Sequence, residues 1–139
     1  MKVRILIIGL IGFGLVIVLL ARGCESPANK GEALYLSKCA NCHGDEGKGF
    51  SIYPPLANSD YLVENKDDFA CIVYYGIEGE ITVNGQKYSQ RMLGDPTLSS
   101  TQIANLMNYV YGKWGKDKTE VNSEDVERRL NNCESKLVK

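Results

Sequence analysis

Residues 39–43 read Cys-Ala-Asn-Cys-His, and His43 is the single histidine of a 139-residue chain. Two thiols three positions apart, followed at once by an imidazole, have a specific chemical use. The sulfurs can add to the two vinyl groups of a haem while the adjacent ring coordinates its iron from one side. Covalent attachment of that kind holds a cofactor in place even in a small protein. Three other readings compete with it. A thioredoxin-like dithiol follows a strand in a βαβ unit, whereas the spacing around Cys39 is helical. A zinc site drawn from Cys39, Cys42, Cys71 and Cys133 lacks a second pair at ligand spacing. Chance is the third. The lone histidine also excludes two-histidine metal centres and a bis-histidine haem within one chain.

Length and charge narrow the setting. One domain is expected at 139 residues. Lys2, Arg4 and Arg22 leave 13 basic against 17 acidic residues, a net of −4, from Cys24 onward. No groove-sized basic surface is available, so nucleic acid is excluded as a partner. After Lys2 and Arg4 come 17 residues, Ile5 to Ala21, that are all apolar or glycine. A run of that length lies between a signal peptide and the shortest spanning helices. Residues 1–23 therefore read as a membrane anchor, N-terminus inside by its positive charges, or as a lipoprotein signal with Cys24 as the acylated residue. Arg22 and Ala21 weigh towards the retained helix. Either way the rest of the chain is expected on the outer, periplasmic or extracytoplasmic, face of a membrane, after a short linker over 24–30.

Beyond the linker the apolar spacing turns helical, with Ala33, Leu34 and Tyr35 leading to Cys39. Asn65-Lys66-Asp67 offers caps for a helix in which Phe69, Ile72 and Val73 share a face and Gly76 supplies the stop. Asn84-Gly85, between Thr82-Val83 and Gln86-Lys87, predicts a two-residue hairpin turn. Ser99 and Gln102 form a capping box with Leu98 placed to staple onto Ile103. Ile103, Leu106, Met107 and Val110 then recur on one face, and Gly112 is expected to end the helix. A last helix is expected from Ser123, with Val126, Leu130, Cys133 and Leu137 on one side.

With His43 the only imidazole, an opposing iron ligand must be sought among thioethers. Met107 belongs to the apolar stripe of the Ser99 helix, where a methionine is core. Met92 lies in an irregular segment, Ser89 to Pro96, suited to a loop-borne ligand. A thioether stabilises reduced iron relative to a second imidazole, so this pairing implies a relatively high potential.

Several motifs in order, Gly31-x-x-x-Tyr35, Cys39-Ala-Asn-Cys-His43-Gly44, Asp45-Glu-Gly47-Lys-Gly49, Pro54-Pro55-Leu56, Met92 and Leu98-Ser-x-x-Gln-Ile-Ala-x-Leu106, resemble the class I c-type cytochromes. Ile81-Thr-Val-Asn-Gly-Gln-Lys-Tyr88, Asn108-Tyr-Val and Lys113-Trp114-Gly115 are similar to the cytochrome domains appended to bacterial copper nitrite reductases. The resemblance covers about 85 of the 139 residues, differing at Cys71, Cys133 and Leu93. It implies an all-α class I cytochrome c fold over 31–115 with one covalent haem c, and beyond it residues 116–139 read from their own periodicity as a C-terminal helical extension. It also implies that the carbonyl of Pro54 or Pro55 accepts the other ring N–H of His43. Tyr88 and Trp114 would bond a haem propionate or pack its edge. Gly31 and Tyr35 would meet the Leu106 to Val110 face at a close helix crossing.

These readings point to a single-electron carrier with His43 and Met92 as axial ligands, working in a respiratory chain between redox protein partners, its donor and acceptor complexes. No nucleophile, base and orienter set remains once iron takes the histidine, so catalysis is not expected. The alternatives are a haem subunit fixed in a respiratory reductase or oxidase complex, and a gas sensor or peroxidase with an open sixth position. The two spare cysteines lie in an oxidising compartment. Phe69, Ile72 and Val73 define the inner face of their helix, so Cys71 points outward. A C-terminal helix packed across that outer face would let Cys133 reach it. The resulting loop of about 60 residues is worth roughly 4 kcal/mol on the chain-entropy model. The alternative leaves Cys71 an inert small residue and Cys133 a core filler.

Overall fold

A computed structural model of the chain describes residues 26–116 and 120–133. The apolar segment expected to meet the membrane, Cys24 and Leu137 lie outside the described residues. Among the described residues no helix is long and apolar enough to cross a membrane.

Helix α1 spans Pro27–Lys38 and starts where the sequence reading placed a linker. Ser26 is its N-cap, accepting from Asn29 N, and Pro27 occupies the first turn, where a missing N–H costs nothing. The Ser-Pro pair is thus a helix start rather than part of a tether. After Cys39 a single turn, α2 (Ala40–His43), carries the second cysteine and the histidine. A long loop leads to α3 (Asp60–Glu64), a 3₁₀ turn (Lys66–Asp68) and α4 (Phe69–Tyr75). Gly76 ends α4 as expected, with a positive φ of 84°.

Two small antiparallel ribbons interrupt the helices. Strand β1 (Gly76–Ile77) pairs with β4 (Met92–Leu93), placing Ile77 opposite Met92. Met92 therefore sits on a two-residue ladder, where an irregular segment was expected. Strands β2 (Ile81–Val83) and β3 (Gln86–Tyr88) form the hairpin announced by Asn84-Gly85, both of which adopt positive φ as a type I′ turn requires. The Asn84 side chain and backbone also bond Asp60, which ties the hairpin to the start of α3.

Helix α5 (Ser100–Trp114) opens on the predicted Ser99/Gln102 capping box. It runs through Gly112 and ends against Gly115. A glycine in a helix costs only about 1 kcal/mol. Burial of Tyr111 and the ring contacts of Trp114 outweigh that, so Gly112 does not act as a stop. Ile103, Leu106, Met107 and Val110 are all buried, as their spacing requires. Helix α1 crosses α5 at Gly31, beside that stripe, where the missing side chain admits Asn105 and Tyr109.

Helix α6 (Ser123–Asn131) opens on an Asn122/Asp125 capping box and packs on α4 and α5. Asn108 clasps the chain just before it, donating to Val121 O and accepting from Val121 N. Val126 and Cys133 are fully buried. Cys133 is bonded to Cys71, with Cα atoms 5.6 Å apart. The C-terminal helix thus covers the outer face of α4, and the cysteine left over on that face finds its partner there.

Candidate functional site

The helices and ribbons enclose an apolar cavity of about 480 Å³. Cys39, Cys42 and His43 line one wall, and Ile77 and Met92 line it from the β1–β4 ladder. Phe69, Ile72 and Val73 of α4, with Leu106 and Val110 of α5, complete it with apolar surface. The same helix faces that build the core therefore shape the cavity.

His43 is 8% exposed and its Nδ1 lies 2.9 Å from Pro54 O. A carbonyl can only accept, so Nδ1 carries the proton and Nε2 keeps its lone pair. Burial lowers the histidine pKa, and the Pro54 bond opposes that shift without reversing it. The ring is held neutral, as a metal ligand must be. The diproline is resolved by this contact: Pro54 supplies the carbonyl and Pro55 lines the cavity.

Cys39 and Cys42 are both free of disulfides. Burial, with the neighbouring Cys42 second, pushes the Cys39 thiol up to about 11. An uncharged sulfur suits this wall, and a thioether there carries no ionisable proton. Tyr35 is fully buried, lines the cavity, and donates its hydroxyl to Gly44 O at 2.6 Å. This bond fastens α1 to the turn that follows His43. Burial raises the tyrosine pKa, which keeps the phenol a donor.

Tyr88 is buried and lines the cavity. Trp114 is not in the lining. Its indole lies against Gly47, with Tyr35 at 5.1 Å and Tyr109 at 6.0 Å between ring centroids. Trp114, expected at a haem propionate or the haem edge, thus stands outside this lining. The last turn of α5 carries the ring behind Tyr35, where it braces the loop after His43. Sequence reasoning missed Tyr53, Tyr61 and Arg91 as lining residues. Two of them flank motifs it did use, Tyr53 preceding Pro54 and Arg91 preceding Met92.

The donor set separates the competing uses of the cysteines. A zinc site needing Cys71 and Cys133 is ruled out because those two are bonded to each other. Among the described residues no group of three or more histidine, cysteine or acidic side chains could hold a metal ion. The remaining set is two cysteine sulfurs, one imidazole and one thioether around a large apolar space, which fits a covalently held haem.

A family model described as cytochrome c matches residues 28–114. The chain is 30% identical over 105 residues to a cytochrome c-552 of Thermus thermophilus, covering 72% of this chain and 70% of that protein. It is 33% identical over 92 residues to the cbb3-type cytochrome c oxidase subunit CcoP of Cereibacter sphaeroides, covering 64% of this chain and 31% of that subunit. It is also 32% identical over 89 residues to the cytochrome c subunit of a quinone alcohol dehydrogenase of Gluconacetobacter polyoxogenes, covering 61% and 19%. The chain thus spans most of the first relative and less than a third of the oxidase and dehydrogenase subunits. Motif, cavity and matched residues agree: this chain belongs to the cytochrome c family as a class I monohaem c-type cytochrome, an electron carrier whose cofactor is one covalently bound haem c.

Proposed function

We propose that the chain carries single electrons in a respiratory chain through a haem with His43 and Met92 as axial ligands, held on the outer face of a membrane by residues 1–23. One observation supports the ligand pair above all others. The Nδ1 proton of His43 is taken by Pro54 O, leaving Nε2 for iron, and Met92 borders the same cavity. Bound haem supplies a reversible one-electron iron couple. Cys39 and Cys42 hold the macrocycle, Pro54 orients the imidazole, and the walls from α4 and α5 exclude water from it. Met92 closes the remaining axial position against small ligands, which makes the domain a carrier rather than a catalyst. Exposed Leu93 and Phe50, 75% and 52% accessible, leave apolar surface for brief contacts with redox proteins.

The test is an optical spectrum and a potentiometric titration of the full chain, matured in a host that attaches c-type haem, with its intact mass. The oxidised parent should show the red-edge band of a thioether bound to Fe(III) and titrate as a one-electron couple. Met92→Ala should lose the band and fall in potential. A parent without the band would sink the ligand pair. The mass reports haem attachment and the fate of residues 1–23 together.

A second reading, a haem subunit fixed in a larger complex, is supported by the oxidase and dehydrogenase subunits among the relatives. Solubilising membranes in mild detergent separates the two, since a fixed subunit would stay with larger partners and a carrier would come away alone.

A further inference from the structure

The bond between Cys71 and Cys133 lies away from the haem-attachment motif, yet it holds α4, the helix whose end runs into the strand paired with that of Met92. We propose that the C-terminal helix and its disulfide form a positioning device for Met92, setting how firmly that thioether stays on the iron. This rests on the ligand pair proposed above.

The mechanical path is short and made of backbone. Helix α4 turns its Phe69, Ile72 and Val73 face to the cavity and its Cys71 to α6. At its end the chain passes through Gly76 into β1, which pairs with the Met92 strand. The two segments interlock at a pair of glycines. A Cβ on Gly76 would lie 2.4 Å from Met92 O, and one on Gly94 would lie 2.4 Å from both Gly76 N and Tyr75 C. Asp95 N donates to Val73 O at 2.9 Å, adding a bond from the same segment back to α4. Backbone packed so closely cannot slide independently, so displacement of α4 carries Met92 with it.

What fixes α4 from outside is α6. Cys133 bonds Cys71 in the middle of α4. One turn earlier on α6, Arg129 donates to Lys66 O at 3.0 Å and pairs with Asp67 at 2.9 Å, just ahead of α4. Asn108 of α5 in turn holds Val121 at the entry to α6. Helix α4 is thus clamped to α5 through α6, and the disulfide is the one covalent member of the clamp among the described residues. Reducing it leaves the packing of Phe69 against Tyr111 of α5 in place and removes the covalent hold on the outer side of α4. Such a local opening frees the methionine without unfolding the domain.

The experiment uses the full-length ferric holoprotein and follows its replacement of Met92 by imidazole. The limiting rate at saturating imidazole reports spontaneous departure of the methionine. Cys71→Ser/Cys133→Ser should raise that rate on the order of tenfold, with the thioether band still present before imidazole is added. Reducing the bridge in the parent with a phosphine, capping the thiols and reoxidising the iron should do the same, which serves if the double variant folds poorly. Ser99→Ala, which weakens the cap of α5 away from the clamp, should leave the rate within about twofold. A disulfide-free protein with the parent's rate would overturn the proposal, as would an equal acceleration by Ser99→Ala, which would make the effect one of overall stability. Failure of the ligand pair is a separate result: the parent would lack the thioether band, and Met92→Ala would leave its spectrum unchanged.

Discussion

Helix α1 delivers Cys39 to the cavity, and its placement hangs on Gly31. A methyl group there would meet Asn105 O at 2.2 Å and Tyr109 Cβ at 2.8 Å. Atoms in contact ordinarily sit at roughly 3.5–4 Å, so Gly31→Ala forces the two helices apart by about 1 Å. The obstructing oxygen belongs to the backbone of α5 and cannot rotate away. Two terms oppose each other. Alanine gains about 1 kcal/mol over glycine in a helix interior, whereas overpacking of a tight crossing costs about 1–3 kcal/mol or more. The clash should win because it falls on the main crossing of the fold, for a net loss of about 1–2 kcal/mol, or roughly 4–10 °C in Tm. Gly112→Ala provides the opposite case. That glycine is exposed, inside α5, with nothing within 4 Å of a built Cβ. Only the propensity gain operates, and Tm should rise by a few degrees for at most about 1 kcal/mol. Thermal unfolding of both ferric holoproteins, followed by far-ultraviolet circular dichroism, checks the pair. If Gly31→Ala stabilised the protein as Gly112→Ala does, the close crossing would be no constraint and the reasoning would be refuted.

Met107→Leu should cost less than about 1.5 kcal/mol in guanidinium unfolding and leave the thioether band in place, because Met107 is fully buried core on α5. Loss of the band in that variant would reassign the ligand. With Cys39→Ala/Cys42→Ala, acidified organic solvent should extract the haem, whereas in the parent the haem should stay with the protein; equal extraction would end the covalent reading. The Asp95 carboxylate, which accepts from Lys38 Nζ at 2.8 Å and from Thr97, is lowered to about 2, first by the Lys38 bond. A depressed carboxylate stabilises the fold above its ordinary pKa and loses that contribution as pH falls from about 4 to about 2. Asp95→Asn should therefore lower the denaturation midpoint at pH 7 and converge on the parent near pH 2, and a difference that persisted there would contradict the assignment.

The features legible in the sequence were those whose physics is local. Cys39, Cys42 and His43 carry their chemistry in five residues, the Ser99/Gln102 box closes within one turn, and Asn84-Gly85 sets its own backbone. The disulfide was reachable too, because the inner face defined by Phe69, Ile72 and Val73 fixes where Cys71 must point. What could not be read were choices made by packing. Pro54 and Pro55 carry chemically equivalent carbonyl acceptors, and only the path of the loop decides which one faces His43. Trp114 was assigned to the cofactor by resemblance, yet the extension of α5 past Gly112 turns its ring to Gly47 and Tyr35. These two outcomes are linked. Trp114 and the Tyr35 hydroxyl brace the loop from Gly44 to Gly47, and just beyond it Gly49 N donates to His43 O at 2.8 Å. That loop runs on to Pro54, so the indole braces the segment that supplies the acceptor for His43.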